Sequence, residues 1–160
     1  MKTLAADNLI GLARSASARA YAPYSGFRVG AALKSASGEV YTASNVENAS
    51  YGLSVCAERA AVFRAVADGQ MVFAALAIYV DADEPAAPCG ACLQVLSEFA
   101  HDLKIYLASR RRRRVVSLAA LLPTPFAAAE GSVRGRGTAC RAPMSSPAKE
   151  LPRQERTEPV

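Results

Sequence analysis

Three cysteines in this chain of 160 residues are spaced so that a metal ion could gather them. Cys56 opens the segment Cys56-Ala57-Glu58-Arg59, and 32 residues separate it from Cys89 in Pro88-Cys89-Gly90-Ala91-Cys92. Sulfur donors and tetrahedral geometry suit zinc, and three protein ligands leave a fourth position open for water, as a catalytic site requires. A closed structural site would need a fourth ligand. Cys140 lies far along the C-terminal stretch, and the lone His101 lies at the far end of the helix that Cys89 begins. Glu58 follows Cys56 by two residues, close enough at a helix's opening turn to take and return protons at that fourth position. Three thiolates leave a zinc complex with net charge −1. The Arg59 guanidinium, on the same turn, can hydrogen-bond the sulfurs and offset that charge.

The elements around these residues must bring them together. Ser54 is a good N-cap and Asp68-Gly69 a good stop, which predicts a helix from about Ser54 to Ala67. Leu93, Leu96 and Phe99 recur at helical spacing and predict a second helix from Cys89 to His101. The apolar run Met71 to Val80 between them reads as a buried strand. Upstream, Leu9, Leu12, Ala13, Ala16 and Ala20 predict a helix over about 4–20. Phe27 to Lys34 and Glu39 to Ser44 then form a hairpin through Ser35-Ala36-Ser37-Gly38. Ile105 to Leu107 and Val115 to Ser117 read as two short strands joined through Arg110 to Arg114, with Ser117 capping a short helix that ends at Pro123. Strand two, helix two, strand three, helix three and strand four then read as consecutive right-handed βαβ crossovers on a mixed sheet. That topology sets the N-termini of helices two and three at the carboxyl edge of the sheet, where open α/β folds bind ligands.

Length and charge narrow the class further. The chain suits one domain, covering residues 1–127. Residues 128–160 contain no Phe, Trp or Tyr but include Pro143, Pro147, Pro152 and Pro159. Such a composition buries too little apolar area to offset ordering, so a disordered tail is expected. The formal charge of +5 is unevenly spread: residues 1–109 carry −2, the arginine run +5 and residues 115–160 +2. Asp7 and Asn8 interrupt any signal-peptide core, and Met71 to Val80 is half the length of a membrane span. A cytoplasmic protein with reduced cysteines and no membrane partner is expected.

Over roughly residues 6–127 the chain resembles the small, homotetrameric, zinc-dependent cytidine deaminase family. The resemblance rests on Tyr21-Ala22-Pro23-Tyr24-Ser25-Gly26-Phe27-Arg28-Val29-Gly30-Ala31, Asn45-Val46-Glu47-Asn48-Ala49-Ser50-Tyr51, the two cysteine motifs with Leu93-Gln94, and Leu121-Leu122-Pro123. It implies an α/β fold of three αβα layers, with a mixed sheet of about five strands and helices on both faces. It also implies one zinc ion per chain and hydrolysis of cytidine and deoxycytidine to uridine and deoxyuridine plus ammonia, a pyrimidine-salvage reaction with Glu58 as proton shuttle. On the same basis Phe27 would stack on the pyrimidine, and Asn45 and Glu47 would bond the ribose 3′-hydroxyl. Ala57, through its main chain, and Glu58 would read the base edge. Ala49, Tyr51 and Phe126 would reach a neighbouring subunit's site in a homotetramer, while Gln94 would stand with Arg59 behind the metal ligands. The chain departs from the family in three places: Leu93 replaces a usual arginine, five arginines occupy the last hairpin, and the tail replaces an acidic end.

Other readings are compatible with the same residues. A related aminopyrimidine nucleoside of the blasticidin type could be the substrate. The arginine run could instead bind polynucleotide cytosine. Glu47, however, would accept a bond from a free ribose hydroxyl and repel a phosphate ester on the same oxygen, so the run reads as a solvated hairpin tip and nucleic acid as a poor partner. A zinc module without catalysis would have no use for Glu58.

Overall fold

The structure, a computed structural model, describes residues 2–127. The expected tail and Cys140 lie outside the described residues.

Strands β1 (Val29–Ser35) and β2 (Val40–Ser44) form the expected hairpin. Gly38, at φ +100°, takes a turn conformation that an L side chain resists. Strands β3 (Phe73–Val80), β4 (Lys104–Ala108) and β5 (Arg113–Ser117) complete a sheet of order β2-β1-β3-β4-β5. β3 and β4 are parallel; the other neighbours are antiparallel. The crossover from β2 to β3 therefore spans β1, while that from β3 to β4 joins neighbouring strands. Burial explains the insertion. β1 is buried along most of its length and needs cover on both faces, whereas β2 is largely half-exposed and suits an edge.

Helix α1 (Lys2–Ser17) covers one face, packing Leu9, Ile10 and Ala13 on Ala32, Ala77, Tyr79 and Ala108. It comes close enough that a Cβ on Gly30 would lie 2.0 Å from the Ala13 carbonyl oxygen. Only glycine fits there. The helix stops three residues short of Ala20, and Ile10 rather than the 36% exposed Leu12 faces the core. Helices α2 (Ala57–Ala67), α3 (Gly90–Phe99) and α4 (Leu118–Leu121) cover the opposite face, where Ala61, Val62, Leu93, Leu96 and Leu118 pack on Leu33, Leu76, Ile78 and Ile105. The result is the expected three-layer αβα fold. Leu93, the departure from the family pattern, is a buried core residue.

Two helix starts differ from expectation in the same way. Ser54 ends a 3-10 turn (Tyr51–Leu53) and accepts the Asn48 N–H, so it caps nothing; Cys56 is the N-cap residue of α2. Cys89 holds that place for α3, which ends at Phe99 rather than His101. Ser117 does cap α4, accepting the Ala120 N–H at 3.2 Å. The arginine run is exposed but does not hang free. Arg113 and Arg114 belong to β5, and Arg110, Arg111 and Arg112 pair with Asp81, Asp83 and Glu84. No described helix is long and apolar enough to cross a membrane.

Candidate active site

The two N-cap cysteines explain how the fold assembles its chemistry. β2, β3 and β4 run in the same direction, so α2 and α3 both begin near the carboxyl edge of the sheet, and Cys92 lies one helical turn beyond Cys89. The Cys56, Cys89 and Cys92 sulfurs all lie within 4.8 Å of one another. The separation is 3.8 Å for Cys56 to Cys89 and 3.5 Å for Cys89 to Cys92. Tetrahedral zinc with bonds of about 2.3 Å sets its sulfurs about 3.8 Å apart. The donor set and its spacing thus fit one zinc ion.

The surroundings favour a thiolate at Cys56. Cys56 is driven down to about 5, first by a hydrogen bond from Cys92, with Arg59 helping against burial. The same bond drives Cys92 well above the ordinary thiol value. Arg59 Nη2 reaches the Cys56 sulfur at 3.9 Å and the Ser54 carbonyl at 3.2 Å, which anchors the guanidinium between backbone and sulfur. Its Nε is buried with no partner among the described residues. A cation so placed offsets the negative charge of three sulfur ligands.

Glu58 sits on the first turn of α2, 5% exposed. Burial pushes its carboxyl up to about 7, and the charge on Cys56 adds to the rise. A carboxyl poised near neutrality can both accept and donate a proton. Ala57, beside it, is fully buried.

A cavity of about 360 Å³ opens next to Cys56, lined by Tyr24, Ser25, Asn45, Val46, Glu47, Tyr51, Ser54 and Val55. This falls within the range of roughly 300–1,000 Å³ usual for small-molecule sites. Asn45 fixes the entry to β1: its Oδ1 accepts the Val29 N–H and its Nδ2 donates to the Phe27 carbonyl, both at 2.9 Å. Glu47 accepts the Tyr24 and Ser25 N–H groups and the Ser25 hydroxyl. The Ser25 hydroxyl is the main reason its carboxyl stays below the usual value.

Of the residues expected from sequence, Asn45, Glu47, Tyr51 and Cys56 line this cavity, while Phe27 and Ala49 are exposed and do not. Phe126 is 79% exposed, and both its backbone N–H and its carbonyl are held by the Gln94 side chain, at 3.0 and 2.9 Å. Gln94 therefore braces the backbone at Phe126. Sequence reading gave Tyr24 and Ser25 no role, although the structure makes them one wall of the cavity and the partners of Glu47. The turn residues Pro23 to Gly26 were the available signal, since they fold that segment back toward β2.

Residues 5–108 match the model of the cytidine and deoxycytidylate deaminase zinc-binding region. A cytidine deaminase of Sporosarcina psychrophila is 43% identical over 122 residues, covering 75% of this chain and 90% of that protein. One of Halalkalibacterium halodurans is 45% identical over 111 residues, covering 68% and 84%. Among solved structures, the cytidine deaminase from Burkholderia pseudomallei superposes with a TM-score of 0.72 at 48% identity, over 75% of this chain and 98% of that one. The cytidine deaminase from Mycobacterium tuberculosis gives 0.67 at 42% identity, over 76% and 97%. With a matching zinc-binding region, relatives of this identity and three converging cysteines, the chain belongs to the cytidine and deoxycytidylate deaminase family.

Proposed function

We propose that this protein hydrolyses the exocyclic amine of cytidine and deoxycytidine, giving uridine and deoxyuridine plus ammonia. One observation carries the reading: three cysteine sulfurs with zinc spacing lie beside a buried carboxyl and a nucleoside-sized cavity. Cys56, Cys89 and Cys92 would hold the zinc, which when bound lowers the pKa of water and so supplies a nucleophile at neutral pH. Arg59 holds positive charge against the sulfurs. Glu58 takes the proton released as water adds to C4, places it on ring N3, and delivers the second proton to the departing amine. Its buried position keeps bulk water from competing for those protons.

The remaining assignments rest on the family resemblance together with position. Asn45 keeps one N–H beyond its bond to the Phe27 carbonyl, and Glu47 keeps acceptor capacity, so both can bond a ribose hydroxyl in the cavity they line. The Ala57 main chain reads the base edge and Phe27 stacks on the pyrimidine. Ala49, Tyr51 and Phe126, all exposed on the single chain, complete a neighbour's site in a homotetramer. Residues 1–127 form the catalytic domain of a cytoplasmic salvage enzyme.

The test follows absorbance loss with cytidine, deoxycytidine, cytidine monophosphate, a blasticidin-type nucleoside and a cytosine oligonucleotide. Turnover of the first two, well above the rest, is the expected result. A faster reaction with the oligonucleotide would overturn the reading.

A further inference from the structure

A second cavity, of about 480 Å³, lies on the α1 side of the sheet, lined by Asp7, Arg14, Tyr79 and the hairpin from Ser109 to Arg113. Its arginines are arranged by the fold. Ser109, 8% exposed, accepts the N–H groups of Arg111 and Arg112 on its hydroxyl and donates that hydroxyl to the Asp83 carbonyl, which fixes the hairpin against the loop after β3. Arg14 stacks over the Tyr79 ring with its guanidinium carbon 5.7 Å from the centroid. It forms no ion pair among the described residues. Arg110, Arg111, Arg112 and Arg113 each have a carboxylate from Asp81, Asp83, Glu84 or Asp7, but every one of these side chains is about half exposed or more.

We propose that this cavity is a binding site for a small oligophosphate, the triphosphate of a nucleotide or a free polyphosphate. Five arginines and one carboxylate, Asp7, line the cavity, and counting Asp81, Asp83 and Glu84, which pair with the arginines from outside the lining, five guanidinium groups still exceed four carboxylates. Exposed ion pairs are weak and exchange readily. A compact, multiply charged anion can bond several of these arginines at once through charge-assisted hydrogen bonds, which a small singly charged anion cannot do. Asp81, Asp83 and Glu84 pair with Arg110, Arg111 and Arg112 from outside the cavity lining. That arrangement suits a compact ligand and opposes a polynucleotide, whose backbone would have to pass Asp7, Asp81, Asp83 and Glu84.

Calorimetric titration of the full-length zinc protein with sodium tripolyphosphate at 0.15 M salt tests the site, with a nucleoside triphosphate as a further arm. Saturable binding is expected, weakened at least about tenfold by Arg14→Gln or by Arg112→Gln and strengthened by Glu84→Gln, which frees Arg112. Equal or tighter binding of the nucleoside triphosphate identifies a nucleotide as the source, and its failure to bind identifies free polyphosphate; either supports the site. Absence of saturable tripolyphosphate binding, binding unchanged in both arginine variants, or displacement by a thymidine oligonucleotide at equal phosphate concentration would overturn it.

Discussion

Two cavities flank the carboxyl edge of one sheet, and they handle charge in opposite ways. On the α2 and α3 face, Glu58 and Cys92 are buried, and burial together with neighbouring groups raises the proton affinity of both. On the α1 face, Arg110 and Arg111 are 54% and 75% exposed, and their carboxylate partners are exposed too. Burial turns electrostatics into altered proton affinity, because a desolvated charge cannot be stabilised by water. Exposure makes the pairings weak and replaceable. The first arrangement is suited to chemistry and the second to reversible binding.

Substitutions should separate the two regions by size of effect. Cys89→Ala is expected to remove the metal and the activity together and to lower the melting temperature, since two thiolates hold zinc poorly. Metal analysis of the purified variant decides it; stoichiometric zinc there would mean that the sulfur cluster is not the ligand set. On the other face, replacing Arg110 to Arg114 by a Gly/Ser turn should cost stability, at up to about 1 kcal/mol for each exposed pair lost. It should leave kcat/KM for cytidine within about twofold and nearly independent of salt, because a nucleoside carries no phosphate for arginines to neutralise. A large loss of turnover would show that the hairpin supports the cysteine site.

Ending the chain after residue 130 should change turnover and zinc content little. If either falls sharply, residues beyond that point serve the site.

The smallest effect concerns Glu47, whose carboxyl is held below its ordinary value first by the Ser25 hydroxyl. A depressed carboxylate stabilises the fold above its unfolded pKa, about 4.3, and loses that contribution as pH falls through the lower folded value. Wild type should therefore exceed Glu47→Gln in stability at neutral pH, and the gap should close in acid. Denaturation curves at several pH values would reveal a gap that stays constant if the Ser25 bond does not matter.

Much of the catalytic face was legible in the sequence because its constraints are local. Cysteines at helix starts, a carboxylate two residues on and an apolar strand between them leave few arrangements. What sequence could not supply depends on long-range packing. The insertion of β1 between β2 and β3 follows from which hairpin strand is buried on both sides, and only the assembled layers decide that. The displacement of the α2 cap from Ser54 to Cys56 reflects a 3-10 turn that competes for the serine. The arginine run looked like a solvated tip because its partners, Asp7 and the acids after β3, are distant in sequence or belong to another loop.

The central claim is that the buried carboxyl beside three sulfurs moves the protons of a nucleoside deamination. Zinc content and cytidine turnover of Glu58→Gln, measured on the same preparation, test it most directly. Full zinc occupancy with turnover reduced about 10²–10⁴-fold is the predicted result. Near-normal turnover with zinc retained, or loss of the metal in that variant, would contradict it.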